Sequence, residues 1–247
     1  MTELPVRVER SGSHMSIVLT SPATSNALSP VMVETMIAAI GDNDVRSCVI
    51  QGDGRNFCGG FDLSDIAGLS DGDLLHRFLR IETLLQMIYH APFPVAAFIQ
   101  GHAIGAGADL MASCWKRVAA PNARFKFPGW NFELALGTRR LSRLIGSEHA
   151  RDMLIDARSV DAEEALAIGL VSKLAAKDEW ADQIADFKDR SMSLSRFANR
   201  TMLDLTVVDT RTQDMAAIVE TAGRPGLKER IQNYSAAVAA AREQRKQ

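Results

Sequence analysis

Cysteine is scarce. Three residues, Cys48, Cys58 and Cys114, occur among 247, each in an apolar run or a Gly-rich loop and none in a C-x-x-C pair or beside two histidines. Neither a zinc site nor a disulfide framework is suggested, and reduced thiols are expected. Long hydrophobic runs are also missing: the longest, residues 94–100 and 104–112, are far too short to span a bilayer. This pattern excludes a membrane protein. The formal net charge is only −2, and no long basic block precedes the last turns, so nucleic acid is not expected as a partner. The late cluster Arg242, Arg245 and Lys246 reads as the solvated end of a final helix. The first residues lack both the basic-then-apolar order of a secretory signal and the Arg/Ser-rich look of a transit peptide, and the cytoplasm is the expected location.

What is present is the composition of an ordinary globular protein, 47% hydrophobic and 23% charged, able to bury a large core. Residues 6–10 and 15–20 read as two antiparallel strands joined by a turn at Ser11-Gly-Ser. Ser29-Pro30 supplies a cap and a first-turn proline for a helix carrying Val33, Met36, Ile37 and Ile40, which ends near Gly41. A strand at 47–51, an amphipathic helix at 73–89, a buried strand at 95–99, a helix at about 105–113 and a strand around 117–120 follow. Strand and helix in repeated succession argue for an α/β fold with parallel crossovers. Beyond Arg139 helices dominate, with a D-x-x-E cap at Asp161 and Glu164, no clear strand past 169–173, and three further helices after Glu179. The expected division is an α/β core over 1–190 and an all-helical region over 191–247.

Two Gly-rich segments each follow a predicted strand and open a predicted helix: Asn56-Phe-Cys-Gly-Gly-Phe-Asp-Leu63 and Gly101-His-Ala-Ile-Gly-Ala-Gly-Ala-Asp-Leu110. Glycine lets backbone turn sharply and approach a ligand, and unpaired N–H groups at a helix start can hold a negative oxygen. The dinucleotide fingerprint fails in both places, because Leu110 and Phe57 stand where its third glycine is needed. The P-loop spacing from Gly54 fails too, with Gly60-Phe61 in place of Lys-Ser/Thr, and no G-x-S-x-G elbow exists.

In order, spacing and neighbours these segments resemble the crotonase (enoyl-CoA hydratase/isomerase) superfamily. Pro22-x-x-x-Asn-Ala-Leu-Ser29 resembles its "P-x-x-x-N-A-L" turn, Phe57-Cys-Gly-Gly-Phe-Asp-Leu63 its "F-C-A-G-x-D-L" loop, and the stretch from Pro94 to Gly107 its "P-V-I-A-A-V-N-G-x-A-x-G-G-G". Ala123-Arg-Phe, Thr138-Arg-Arg-Leu141 and Ala162-Glu-Glu-Ala-Leu-Ala-Ile-Gly-Leu-Val-Ser172 continue the likeness, which runs from about residue 6 to residue 230. The resemblance implies a crotonase-like (ββα) spiral core with a helical C-terminal trimerisation region, and hence a homotrimer or a dimer of trimers. It implies an acyl-CoA substrate, with coenzyme A present as part of that substrate and no separate cofactor or metal.

Carried over by position, the resemblance makes the backbone N–H groups of Phe61 and Ala106 the donors of an oxyanion hole for a thioester enolate. Such donors act where charge grows in the transition state and are typically worth about 3–4 kcal/mol each. Asn26, Ala27, Gly59, Gly60, Asp62 and Leu63 would line the coenzyme A path. The family's usual cation before "N-A-L" is missing from Ala23-Thr-Ser25, so Lys228 or Arg230 is the expected phosphate contact. Hydratases of the family carry two glutamates; here Asp109 and Gly129 stand in those positions. Losing a methylene retracts a carboxylate by roughly 1.5 Å, and about 1 Å of misplacement can cost a hundredfold in rate. Asp109 is the candidate acid/base, and Glu133 the candidate replacement for the lost glutamate. Trp130 is a candidate wall of the acyl pocket; His102, His76, Glu82 and His90 read as filler or helix surface. Hydratase/isomerase chemistry is the leading expectation, CoA-thioester decarboxylation or hydrolysis the second, and non-catalytic acyl-CoA binding the third.

Overall fold

The computed structural model describes residues 4–42 and 44–244. Residues 1–3, with which the leader reading begins, lie outside the described residues, as do Arg245, Lys246 and the side chain of Arg242 from the basic cluster.

The opening hairpin forms as the alternation predicts. Strand β1 (Val6–Ser11) pairs antiparallel with β2 (His14–Leu19) through a turn in which Gly12 takes φ +59. Helix α1 (Pro30–Ile40) begins where the cap was read: the Ser29 hydroxyl accepts from the Met32 N–H, and Pro30 occupies the first turn. Strand β3 (Ser47–Gly52) leads through the first Gly-rich turn to α2 (Asp71–Tyr89). This helix starts two residues before the predicted point because Ser70 and Asp73 form a reciprocal capping box ahead of the apolar pattern.

Strand β4 (Val95–Ile99) is buried along its whole length, as a strand covered on both faces must be. Its side chains divide by parity. Val95, Ala97 and Ile99 join the large core with α1 and α2, whereas Ala96 and Phe98 join Val49, Val118, Trp180 and Phe187 on the other face. After β4 the second Gly-rich turn contains a short strand, β5 (His102–Ile104), before α3 (Ala106–Ala112) and β6 (Lys116–Ala119). Strand β7 (Arg124–Lys126) pairs in parallel with β5 and antiparallel with β8 (Val160–Asp161), making a separate three-stranded sheet in the order β5-β7-β8. The sequence reading missed this small sheet, because two or three residues are too few to show alternation.

Helices α4 (Thr138–Ile145), α5 (Ser147–Asp156) and α6 (Ala162–Ala167) precede β9 (Lys173–Leu174), which closes a six-stranded sheet in the order β1-β2-β3-β4-β6-β9, parallel from β2 onward. The last strand therefore overlaps only the end, Lys173, of the stretch 169–173 read as strand. Among the described residues four helices follow rather than three: α7 (Trp180–Met192), α8 (Arg196–Thr206), α9 (Arg211–Ala222) and α10 (Leu227–Gln244). The expected boundary at 190/191 falls inside α7. An α/β core with a helical C-terminal region is the architecture. Among the described residues no helix is long and apolar enough to cross a membrane.

The C-terminal helices are fastened to the core. Asp71, at the start of α2, accepts from the Gly226 N–H (2.7 Å) and the Lys228 N–H (2.8 Å), so it caps α10, and α9 packs along α2. Helix α10 thereby packs against α2 and the turn at Gly129–Phe132.

Candidate active site

The two Gly-rich turns are stitched directly to each other. Phe57 N–H donates to the Gln100 carbonyl (2.8 Å), Cys58 N–H to that of His102 (3.1 Å), and Ile104 N–H to that of Cys58 (3.0 Å). Close approach demands glycine at two points. Gly60 takes φ +99 with its Cα facing the Ile104 carbonyl, and a β-carbon there would stand 2.5 Å from that oxygen and 3.5 Å from the Ala106 nitrogen. Gly107 presses on Cys58, where a β-carbon would overlap the carbonyl oxygen. The Gly60-Phe61 peptide and the start of α3 are thus neighbours. Among the described residues, neither the Phe61 N–H nor the Ala106 N–H has a hydrogen-bond acceptor.

Phe61 is fixed from behind by its ring, which stacks on Phe78 of α2 at 4.5 Å and 24°. The first turn is fixed from below by Asn26. This side chain is fully buried at φ +56; its Nδ2 donates to the carbonyls of Asp53 (2.9 Å), Asn56 (2.9 Å) and Phe57 (3.2 Å), and its Oδ1 accepts from the Ser21 N–H (2.9 Å). With every polar atom spent on backbone, Asn26 braces the loop and does not reach the groove.

Beneath the free amides lies a cavity of about 350 Å³, walled mostly by apolar side chains that include Phe61, Phe127, Phe132, Leu134 and Val238. An open groove of about 1080 Å³ shares Gly59, Phe61, Leu63 and Ile104 with it, so the two spaces adjoin at the turns. Ala27, Asp62 and Leu63 line this groove, and Gly60 the cavity. Asp62 accepts from the Ser64 N–H (3.0 Å), which shapes the turn locally. Arg55 and His102 also line the groove, and no pattern in the sequence pointed to Arg55.

Asp109, on α3 three residues after Ala106, lines the cavity and is 5% exposed. Its Oδ1 is buried with no hydrogen-bond partner among the described residues. Burial pushes the carboxyl well above the usual carboxylate range; Arg140 pulls against this and Glu82 adds to it. Glu82 and Arg140 form a pair that the sequence reading missed, having left Glu82 on a helix surface. Both side chains are at most 2% exposed, and Arg140 Nη1 and Nη2 donate to the two Glu82 oxygens at 2.9 and 2.6 Å. Burial works to lower the Arg140 value, but the Glu82 hydrogen bonds and the surrounding carboxylates outweigh it and hold the guanidinium above its ordinary range. Losing either partner would strand a buried charge, at a cost of about 3–5 kcal/mol.

Glu133 is not brought to the cavity. Its backbone turns left-handed at φ +59, its side chain is 49% exposed, and its carboxylate pairs with Arg224 Nη1 at 2.7 Å. Lys228 is likewise absent from both linings; its Nζ donates to the Ala67 carbonyl at 2.6 Å. Arg230 donates to the carbonyls of Phe132 and Pro225. Trp130 does line the cavity, held by a 3.1 Å bond from Nε1 to Thr138 Oγ1. Gly129 lines it as well, with the Leu134 carbonyl 2.8 Å from where a β-carbon would stand. Helix α10 contributes Ile231, Tyr234, Ser235 and Val238 to the far wall, a contribution that no motif announced.

Comparison with known proteins gives a consistent picture. The model of the family described as enoyl-CoA hydratase/isomerase matches residues 9–235. A probable enoyl-CoA hydratase of Mycobacterium bovis is 39% identical over 180 residues, which are 69% of this chain and 72% of that protein. A crystal structure from Bordetella parapertussis, of a protein assigned as an enoyl-CoA hydratase/isomerase, is 38% identical with a TM-score of 0.93, covering 95% of this chain and 99% of that one. A Thermobifida fusca protein assigned as an enoyl-CoA hydratase, solved in complex with acetoacetyl-CoA, is 25% identical with a TM-score of 0.74, covering 89% and 93%.

Proposed function

The chain belongs to the enoyl-CoA hydratase/isomerase family, and on that premise we propose that it shifts a carbon–carbon double bond in an acyl-CoA thioester, with the thioester oxygen held between the Phe61 and Ala106 amides. The observation that carries this reading is the coincidence of two acceptor-free N–H groups and one desolvated carboxyl group around a single apolar cavity. The relative solved with acetoacetyl-CoA supports the substrate class.

In the reaction Asp109, as carboxylate, takes a proton from the α-carbon of a 3-enoyl thioester. The C–H electron pair moves into the conjugated system, and negative charge gathers on the carbonyl oxygen, where the two amides stabilise it more than they stabilise the ground state. Asp109 then returns the proton to the γ-carbon, which leaves the 2-enoyl thioester and the original carboxylate. One acid/base suffices. Hydration would need a second carboxyl to manage water, and Gly129 provides none.

Steady-state assays with trans-3-hexenoyl-CoA, crotonyl-CoA and a malonyl-type CoA test the assignment. Isomerisation exceeding hydration by at least about a hundredfold, and lost in Asp109→Asn, is the expected result; efficient hydration of crotonyl-CoA would overturn it. A second reading, decarboxylation of a malonyl-type thioester, rests on the same amides and the apolar cavity, because loss of CO₂ needs an electron sink but no base. It predicts turnover that survives Asp109→Asn. Phe197 and Leu205 on α8, 78% and 81% exposed, support self-association of this chain as a trimer or dimer of trimers, which light scattering would test.

A further inference from the structure

Asp109 lies close to a guanidinium that does not pair with it. Its carboxyl rests on Gly137, the residue immediately before α4, and Arg140 lies in the first turn of that helix. Arg140 is nevertheless turned to α2, where Glu82 occupies both terminal nitrogens, and Asp214 of α9 stands 3.4 Å from Nη1. Thr210 Oγ1 (2.8 Å) and Arg139 Nη1 (3.0 Å) hold Asp214 in place, and Gln86 Nε2 (2.9 Å) holds Glu82. The consequence is a matched pair of orphans: Arg140 Nε and Asp109 Oδ1 are both buried without partners among the described residues. A cation and an acid have been brought into one buried region and kept apart.

We propose that Glu82 is a positioning residue for Asp109: by clamping Arg140 from the far side, it withholds the guanidinium and keeps Asp109 basic enough to remove a proton from carbon. This rests on the reading of Asp109 as the proton carrier. A carboxylate paired with arginine is a weak base, and proton abstraction from an α-carbon is favoured by a strong one. Glu82 also makes the surroundings of Asp109 neutral, because its charge cancels that of Arg140. Among the described residues, the other charged or titratable groups of this region are Asp214 on α9, which engages Arg139 and the far side of Arg140, Lys126 of β7 in the same cavity lining, and the Cys58 thiol beneath Gly107. None of them replaces the clamp, since Glu82 alone holds both Arg140 nitrogens at normal hydrogen-bond lengths.

The test is the pH profile of kcat/KM for trans-3-hexenoyl-CoA in the wild type, Glu82→Gln, Asp109→Asn and the double variant Glu82→Leu/Arg140→Met. In the wild type the rate rises with pH as Asp109 ionises. Glu82→Gln frees Arg140, so the rising limb is expected about one to three pH units lower, with a reduced plateau. The double variant removes cation and clamp together and keeps the buried volume apolar; its limb is expected within about half a unit of the wild type. An unmoved limb in folded Glu82→Gln overturns the positioning role. Should that variant not fold, a limb displaced by about one unit or more in the double variant does so instead. Asp109→Asn separates the two levels of the argument: full activity there defeats the proton-carrier reading itself, whereas lost activity beside an unmoved Glu82→Gln limb defeats only the clamp.

Discussion

Gly137 lies against the carboxyl group of Asp109, so closely that a β-carbon at 137 would fall inside the van der Waals surface of Oδ1. The backbone there is left-handed, φ +65, which adds strain for any other residue. Gly137→Ala therefore pushes the carboxyl away from the substrate carbon while leaving both Gly-rich turns intact. The expected outcome is a kcat for 3-enoyl-CoA isomerisation lower by about a hundredfold, with little change in affinity for a saturated acyl-CoA. Wild-type kcat in this variant would remove Asp109 from the chemistry.

Asp109 also weakens the fold in a pH-dependent manner. Its folded value lies above the unfolded carboxylate value of about 3.9. Below that unfolded value the group is protonated in both states and costs nothing by ionising. As pH rises, the unfolded chain releases its proton first, so stability falls toward neutrality. Asp109→Asn cannot ionise, and urea melts should show it gaining on the wild type from about pH 4 to pH 8. A stability difference that stays constant over this range would contradict the raised value.

Asn26→Ala removes a brace and contributes nothing in its place. Three backbone carbonyls, of Asp53, Asn56 and Phe57, lose their donor, and a non-glycine residue remains at φ +56. A loss of about 2–4 kcal/mol is expected. Affinity for acyl-CoA should fall too, because the same bonds hold the loop that carries the Phe61 amide. Retained stability with lost affinity would instead make Asn26 a direct contact.

Restoring the second acid should not restore a hydratase. At Gly129 a β-carbon would stand 2.8 Å from the Leu134 carbonyl oxygen, and the Leu134 N–H donates to the Gly129 carbonyl at 2.9 Å. Gly129→Glu must open this small loop before its carboxylate can face the cavity. A lower melting temperature without a gain in crotonyl-CoA hydration is expected; a gain of about a hundredfold would show the loop to be adaptable.

Much of this was legible in the sequence, and the exceptions share a cause. The main strands, the amphipathic α2 and the capped helices α1 and α6 announced themselves through alternation, apolar spacing, Ser-Pro, and the spacing of Asp161 and Glu164, all local signals. The turns carrying Phe61 and Ala106 were found through glycines that only close backbone approach requires. What local pattern could not supply was pairing at a distance. Glu82 and Arg140 are separated by 58 residues and look like ordinary helix charges until α2 and α4 are brought together. The partner of Glu133, Arg224, lies 91 residues later. Lys228 is another such case, since the Ala67 carbonyl that accepts from its ammonium cannot be inferred from either segment.

The far wall formed by Tyr234, Ser235 and Val238 also governs when the chamber can exist during synthesis. The strands, both Gly-rich turns and Asp109 leave the ribosome well before α10, while Asp71 waits for the Gly226 and Lys228 amides that complete its bonds. A nascent chain at that stage would leave Phe132 without the Tyr234 ring against which it packs, and the cavity without its far wall. The closed form of this chamber therefore waits on a helix more than a hundred residues downstream of the turns that open it.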